Sequence, residues 1–242
     1  MRQLNAQVMK NLRTESIILA VGLLFAGLLI YEGFDSMAER DRSVDVRGFS
    51  ERIVNADKAT WPISYKAFGN DLDILYVNAD EAKHKIISFL TKAGIAPEDI
   101  ASSAPRVTDY NATDYKPDNI KTRYMIQMCI TVSTKKVQTV RELTYRIPEL
   151  IREGISIVNN DYDANQLSYE YTGLDKIKPA MIEASTKNAR EAAEKFAKDS
   201  GSKLGKIRKA SQGYFSIDNR DNNTPWIKKV RVVTSVSYYL KN

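Results

Sequence analysis

Residues 174–201, LDKIKPAMIEASTKNAREAAEKFAKDSG, decide the fold, because they form the longest amphipathic stretch outside the apolar N-terminal segment. Small and apolar side chains recur every three or four residues, which is the period of an α-helix. Gly201 follows the stretch, and glycine is favoured just after a helix C-terminus. One row of the predicted helix faces a sheet and permits close approach: Ile177, Met181, Ala184, Ala189, Ala192, Ala193, Phe196 and Ala197.

Two strands are predicted after this helix, over residues 207–217 and 230–240, around a polar turn at 218–225. The turn contains Asp and Asn oxygens that suit calcium, but the calcium-loop spacing with its central Gly and terminal Glu is absent. A solvated hairpin tip is therefore favoured there. The last strand alternates apolar and polar residues and predicts a buried face: Val230, Val232, Thr234, Val236, Tyr238 and Leu240.

The same order of elements is found upstream. An amphipathic helix over 72–93 ends at Gly94, a strand begins near Val107, a polar turn spans 111–121, and a second strand covers 124–132. Extended pieces precede this helix at 44–53 and 61–67. We therefore predict an α+β fold of duplicated β-α-β-β units, with helices packed on antiparallel sheet and a linking helix at 137–154.

Residues 17–31, IILAVGLLFAGLLIY, form an apolar run without charge. Basic residues precede it and acidic residues follow, which predicts a cytoplasmic N-terminus and an exported C-terminal body. We predict an uncleaved transmembrane signal anchor within 1–34, a linker at 35–43 and a folded domain at 44–242. A cleaved secretory signal is the alternative. The predicted membrane contacts are Ile17, Leu19, Leu23, Phe25, Leu28, Ile30 and Tyr31.

Composition limits the chemistry that the chain can perform. Cys129 is the single cysteine, so no intramolecular disulfide can form. His84 is the single histidine and has no readable acid or nucleophile partner, which favours a surface role. The net charge is +6, but the basic cluster at 203–209 contains no interleaved aromatic residues. We therefore predict a solvated face, no nucleic-acid partner, and no catalytic, cofactor-binding or metal-binding residues.

Two motifs resemble a known family. Residues 44–51, VDVRGFSE, followed by Ala56-Asp57-Lys58-Ala59, are similar to the opening of the SIMPL-domain family, V-x-V-x-G-x-G-E before P-D-x-A. Residues 189–197, AREAAEKFA, with Gly201 and then LGKI at 204–207, resemble its alanine-rich helix and G-x-x-L-G ending. The chain departs from the pattern at Ser50 and at Asn55-Ala56, which affects local backbone only.

The resemblance implies an exported bacterial α+β protein, here held at the inner membrane by a single pass with its domain in the periplasm. Members tend to self-assemble and have been linked to envelope or oxidative stress defence, and the family name comes from a protein that binds a kinase. A non-enzymatic role is expected, through homo-oligomerisation or through docking of an envelope partner. The alternative is a periplasmic ligand-binding or carrier module. The family offers no catalytic residues to carry over.

Aromatic residues cluster near the two polar turns, where they either form contact surfaces or fill the core. The two readings are equally supported by the sequence. As a hypothesis, both tips take part in subunit or partner contact, through Tyr110, Tyr115, Tyr124, Tyr214, Phe215 and Trp226.

Overall fold

The computed structural model describes residues 19–30, 42–112, 121–158 and 166–241. Residues 19–30 form helix α1, whose side chains are all exposed, including the predicted anchor residues Leu19, Leu23, Phe25, Leu28 and Ile30. Ile17 and Tyr31 lie outside the described residues. Of the helices in the described part of the chain, none is both long and apolar enough to cross a membrane.

The chain divides into two compact units. The first, here called the terminal unit, comprises Met1–Ser50, Ala180–Phe215 and Val232–Asn242. The second, the central unit, comprises Glu51–Pro179 and Ser216–Arg231. Three elements contain the boundaries: β1 (Ser43–Asn55), α4 (Leu174–Asp199) and β10 (Ile227–Lys241).

The central unit contains six strands of one sheet, two helices and a short 3₁₀ turn (Pro97–Asp99). In chain order the elements are β2 Lys58–Gly69, α2 Leu72–Lys92, β3 Ile100–Ser102, β4 Arg106–Asp109, β5 Tyr124–Thr134, α3 Val137–Arg152, β6 Ser156–Val158 and β7 Ser168–Glu170. The sheet has the strand order β3–β5–β2–β6, in which β4 also pairs with β5 and β7 with β2. All of these pairs are antiparallel.

Alternation along β2 and β5 places one face of this sheet in the core of the central unit. The largest fully buried side chain there is Tyr65, whose hydroxyl donates to the carbonyl oxygen of Ala79 at 3.2 Å. Helix α2 begins at Asp71, whose carboxylate accepts from the backbone N–H groups of Asp73 and Ile74. It ends before Gly94, which has φ +89°. Pro148 lies inside α3, which continues through it as one helix rather than restarting.

The terminal unit contains helix α4 and a second sheet with the order β1–β10–β8, where β8 is Lys203–Gln212. The same sheet extends into the central unit, where β9 (Ser216–Asn219) pairs with the start of β10. The buried cluster of this unit is small and consists of Val44, Ala189, Ala193, Val236 and Tyr238. The predicted inward face of the last strand is confirmed, since Val230, Val232, Thr234, Val236 and Tyr238 are buried.

The predicted buried face of α4 is partly wrong. Phe196 is 55% exposed and Ala192 is also exposed, because the buried residues of α4 follow a strict four-residue spacing: Met181, Ser185, Ala189, Ala193 and Ala197. The strands predicted on either side of the second polar turn do pair, since β8 is antiparallel to β10. The other neighbour of β10 is β1, which the sequence did not predict. The α+β class with antiparallel sheets is confirmed.

Candidate interaction surfaces

Gly48, the glycine of the first motif, lies where β1 crosses α4. A Cβ atom at this position would lie 2.0 Å from the carbonyl oxygen of Ser185 and 2.4 Å from the backbone nitrogen of Ala189. Ser185 and Ala189 are themselves fully buried. The glycine and the small residues of the alanine-rich helix therefore serve one purpose, the close approach of strand and helix.

Asp57, the acidic residue of the same motif, holds the chain between β1 and β2. Its Oδ1 atom accepts from the backbone N–H of Thr172 at 2.7 Å, and its own N–H donates to the carbonyl oxygen of Glu170 at 2.9 Å. The adjacent Ala56 donates to the carbonyl oxygen of Trp226 at 2.8 Å. Asp57 thus joins three segments of the central unit, and its carboxylate is used for structure.

The second motif is also structural. Gly201 has φ +69° and ends α4, and the N–H of Ser202 then returns to the carbonyl oxygen of Ala197 at 2.8 Å. A Cβ atom on Gly205 would lie 2.7 Å from the carbonyl oxygen of Tyr239. The residues that carry the family resemblance therefore make contacts that build the fold.

The two candidate reactive residues lie on different elements of the central unit. His84 is exposed on α2, with its Nδ1 atom 2.9 Å from the carbonyl oxygen of Asp80 and 3.3 Å from the Oδ2 atom of the same residue, an acidic neighbour that was not read from the sequence. Cys129 is half-buried on β5, with its Sγ atom 3.8 Å from the hydroxyl of Thr131. Across the described residues, no group of three or more His, Cys, Asp or Glu side chains is placed to hold a metal ion.

The aromatic residues near the second turn have different environments. Tyr214 is fully exposed, whereas Phe215 is half-buried. The Trp226 ring packs against the core of the central unit, with the Arg141 guanidinium 3.7 Å from its centroid. Tyr169 meets the same indole edge-on at 6.2 Å. Trp226 is thus a packed residue, and Tyr214 is the exposed aromatic of this group.

The turn that precedes Trp226 is organised by Asp221. Its carboxylate accepts from the Thr224 hydroxyl, from the backbone N–H groups of Asn223 and Thr224, and from the Nε atom of Arg220 at 2.8 Å. These hydrogen bonds, that from the Thr224 hydroxyl above all, lower the pKa of Asp221 to about 2. Both carboxylate oxygens of Asp221 are therefore engaged within the turn.

Two further groups of the central unit have perturbed pKa values because of burial. The pKa of Tyr65 is strongly raised, since its phenol lies inside the core. The pKa of Lys228 is lowered by desolvation, although its Nζ atom donates to the Asn219 side chain. Burial is the largest cause of both shifts; the neighbouring Asp80 and Cys129 add to the rise at Tyr65, and Glu170 opposes the fall at Lys228.

At the first turn, Tyr110 and Tyr124 are both half-buried at the end of the six-stranded sheet. The Tyr110 hydroxyl is 3.5 Å from the Met125 sulfur, and the Arg123 guanidinium lies 4.7 Å from the centre of the Tyr124 ring. Tyr115 lies outside the described residues. The register pairs Tyr124 with Gly69 at the end of β2. The predicted tip is therefore continuous with the connection from β2 to α2.

That connection carries an apolar surface that sequence reasoning missed. Phe68, Leu72, Ile74, Tyr76 and Val77 are between 40% and 62% exposed, and we call them the 68–77 patch. Within the first turn of α2, Leu75 is buried as helical spacing requires, whereas Leu72 is 40% exposed. A signal was present in the sequence, because residues 72–77, LDILYV, have apolar side chains on every side of the first helical turns. Large apolar side chains exposed this close together in the chain favour an interaction site.

Comparison with known proteins supports the family but adds no function. Searching curated proteins gives no significant match. A family model described as "SIMPL: Protein of unknown function (DUF541)" matches residues 44–235, which covers both units and both motifs. The chain therefore belongs to the SIMPL family.

Proposed function

We propose that this chain is a non-enzymatic protein of the bacterial envelope that acts through association of its folded domain with further copies of itself. In this proposal the N-terminal apolar segment holds the chain at the inner membrane, with the domain in the periplasm. The family resemblance suggests envelope or oxidative stress defence as the setting. An envelope partner that docks on the assembled domain is compatible with the same surface.

The 68–77 patch is the observation that carries the proposal. Its five large side chains are close in sequence and exposed, and burying apolar surface contributes roughly 25 cal/mol per Å². The neighbouring tip residues Tyr110 and Tyr124 extend the same end of the sheet with amphipathic rings. Only two charged residues, Asp71 and Asp73, interrupt residues 68–77. Such a surface favours association with another apolar surface, which a second copy supplies.

The mass of the full chain in nonionic detergent micelles, measured by light scattering after size exclusion, tests this proposal. We expect a discrete assembly for the natural sequence. The double variant Ile74→Glu with Val77→Glu should fall to a monomer and still fold, because acidic residues are tolerated in the first turns of a helix. Tyr145→Glu, on an 80% exposed residue of α3, is the matched control and should retain the assembly.

Either of two results would contradict the proposal. One is a monomer of the natural sequence at every concentration. The other is an assembly whose mass is the same in the double variant as in the natural sequence. Circular dichroism of each variant confirms that loss of assembly is not loss of fold.

A further inference from the structure

The open side of the terminal unit's sheet is strongly basic. In the register of β8 with β10, Lys203 lies directly opposite Lys241, and Lys209 lies opposite Ser237. Leu204 and Leu240, the next pair along, pack against the buried cluster under α4. Because successive side chains alternate between faces, Lys203 and Lys241 lie on the opposite, exposed side. Two register shifts interrupt β8 before Lys209, but its partner Ser237 follows the buried Val236, so Lys209 lies on the exposed side too.

Two more cations belong to this surface. The register shift between Tyr238 and Leu240 sets Lys206, together with Gly205, opposite Tyr239, and Lys206 is exposed. The Arg208 guanidinium lies 5.8 Å from the centre of the Tyr239 ring. Arg208 also donates from Nη1 to the Ser43 hydroxyl at 3.0 Å, which extends the surface across β10 to the start of β1. We call this surface the basic face, and it consists of Lys203, Lys206, Arg208, Lys209 and Lys241.

This arrangement carries a cost in the isolated domain. Like charges directly opposite each other in a strand pair destabilise it, and Lys203 faces Lys241 in this way. Among the described residues, no ion pair involves Lys203, Lys206, Lys209 or Lys241. Residues 42–50, 180–215 and 232–241 contain eleven Lys and Arg but five Asp and Glu. A polyanionic surface would relieve the repulsion.

The position of the face along the chain indicates which polyanion it meets. The N–H of Leu240 donates to the carbonyl oxygen of Arg42 at 2.9 Å, so the strand ends that carry Lys203 and Lys241 lie beside the start of β1. Arg42 follows the last residue of the exposed apolar helix α1 by twelve positions, a reach of at most about 43 Å. The half-buried Tyr239 adds an amphipathic ring of the kind enriched at membrane interfaces.

We propose that the basic face binds the anionic phospholipid headgroups of the membrane that holds the N-terminal segment. The interaction is electrostatic, so it orients the sheet at the bilayer surface and weakens as salt shortens the screening length. The inference rests on the membrane attachment in the proposed function, but it concerns the terminal unit and not the 68–77 patch.

Lysine footprinting on the full chain tests the inference. The protein is reconstituted in phosphatidylcholine vesicles with or without about one third phosphatidylglycerol, acetylated briefly, and the reactivity of each lysine is read by mass spectrometry. We expect Lys203, Lys206, Lys209 and Lys241 to react at least about threefold more slowly on the anionic vesicles, and half-molar salt to remove the difference. Lys85 and Lys92, which are exposed on α2, serve as internal controls and should not change.

Variants with fewer charges on the basic face provide a second test of the inference. In Lys203→Gln with Lys209→Gln and Lys241→Gln, the protection of Lys206 on anionic vesicles should disappear, whereas Lys85→Gln with Lys92→Gln should retain it. Equal reactivity on both vesicles overturns the inference. Equal protection by a soluble polyanion such as polyglutamate, without vesicles, overturns the assignment to lipid.

Flotation separates this inference from the membrane attachment. Recovery of the chain with phosphatidylcholine vesicles in half-molar salt depends on the apolar segment alone, because headgroup charge is absent and screened. If the chain does not float with these vesicles, the proposed membrane attachment through the apolar segment is wrong. The lysine footprint on anionic vesicles then still tests whether the basic face binds lipid headgroups.

Discussion

At the scale of single residues, Gly48 and Asp57 of the first family motif make contacts that hold the fold together. Gly48 has no room for a Cβ atom beside Ser185 and Ala189. Asp57 holds the backbone of Thr172 through its carboxylate. The sequence could locate both residues through the resemblance, but it could not assign their roles, since their partners lie more than a hundred positions away along the chain.

Gly48→Ala should destabilise the terminal unit by about 1–3 kcal/mol, because the added methyl group forces β1 and α4 apart. Urea unfolding followed by circular dichroism measures the change. Gly69→Ala is the control, because its Cβ atom would have Leu75 Cδ1 at 3.4 Å as its nearest neighbour, and we expect a change within about 0.5 kcal/mol. Equal effects of the two substitutions would show that the crossing is not tightly packed.

Asp57→Ala should cost about 1–3 kcal/mol, because the N–H of Thr172 loses a charged acceptor at 2.7 Å. Asp57→Asn keeps an acceptor oxygen at the same place and should recover most of that loss. Urea midpoints of the two variants, compared with the natural sequence, measure the difference. Equal losses in both would mean that the carboxylate charge, and not the hydrogen bond, stabilises this connection.

At the scale of elements, periodicity predicted most helices and strands because burial follows it closely. The last strand is the clearest case, with Val232 and Val236 buried as its alternation required. Prediction failed where a neighbour from elsewhere in the chain decides the environment. The short strand β3 and the assignment of Phe196 to a buried face depend on such neighbours. The sequence pattern of α4 does not show how wide a face of the helix is buried against its sheet.

Two aromatic residues of the second tip should differ in their contribution to stability, because one is packed and the other is exposed. Trp226→Ala should cost about 2–4 kcal/mol, because it removes the indole between Arg141 and Tyr169 at the edge of the core. Tyr214→Ala should leave stability within about 0.5 kcal/mol, since this side chain is fully exposed. Thermal unfolding of both variants tests this. A large loss in Tyr214→Ala would show that its ring is buried in the protein in solution.

The turn at Asp221 should respond to acid. Its pKa of about 2 in the folded chain lies below the ordinary value of 3.8, so Asp221 contributes stability at neutral pH. That contribution is present above the ordinary pKa and is lost as the pH falls toward 2. In Asp221→Asn the fall in urea midpoint between pH 5 and pH 2 should be smaller than in the natural sequence. An unchanged fall would place the acid sensitivity in other carboxylates.

At the scale of the whole molecule, the sequence predicted the class and the family but not the surfaces. The ends of α2 and α4 could be predicted because a glycine with positive φ follows each helix. The pairing of β10 with β8 followed from the polar turn between them, but its pairing with β1 was not predicted, because β1 comes from the other end of the chain. Both proposed surfaces arise from three-dimensional neighbours. The 68–77 patch depends on Leu75 alone facing inward, and the basic face depends on the register that sets Lys203 opposite Lys241.

The two surfaces should therefore act independently, since each lies within a different unit and has different chemistry. Ile74→Glu with Val77→Glu should lower the mass of the assembly and leave the lysine footprint on anionic vesicles unchanged. Lys203→Gln with Lys209→Gln and Lys241→Gln should remove the protection of Lys206 and leave the mass unchanged. Added salt should remove the lysine footprint on anionic vesicles and leave the mass of the assembly unchanged, because salt screens the lysines while apolar contacts persist. If the triple variant also loses assembly, the basic face is part of the subunit contact, and the separation of membrane binding from association is wrong.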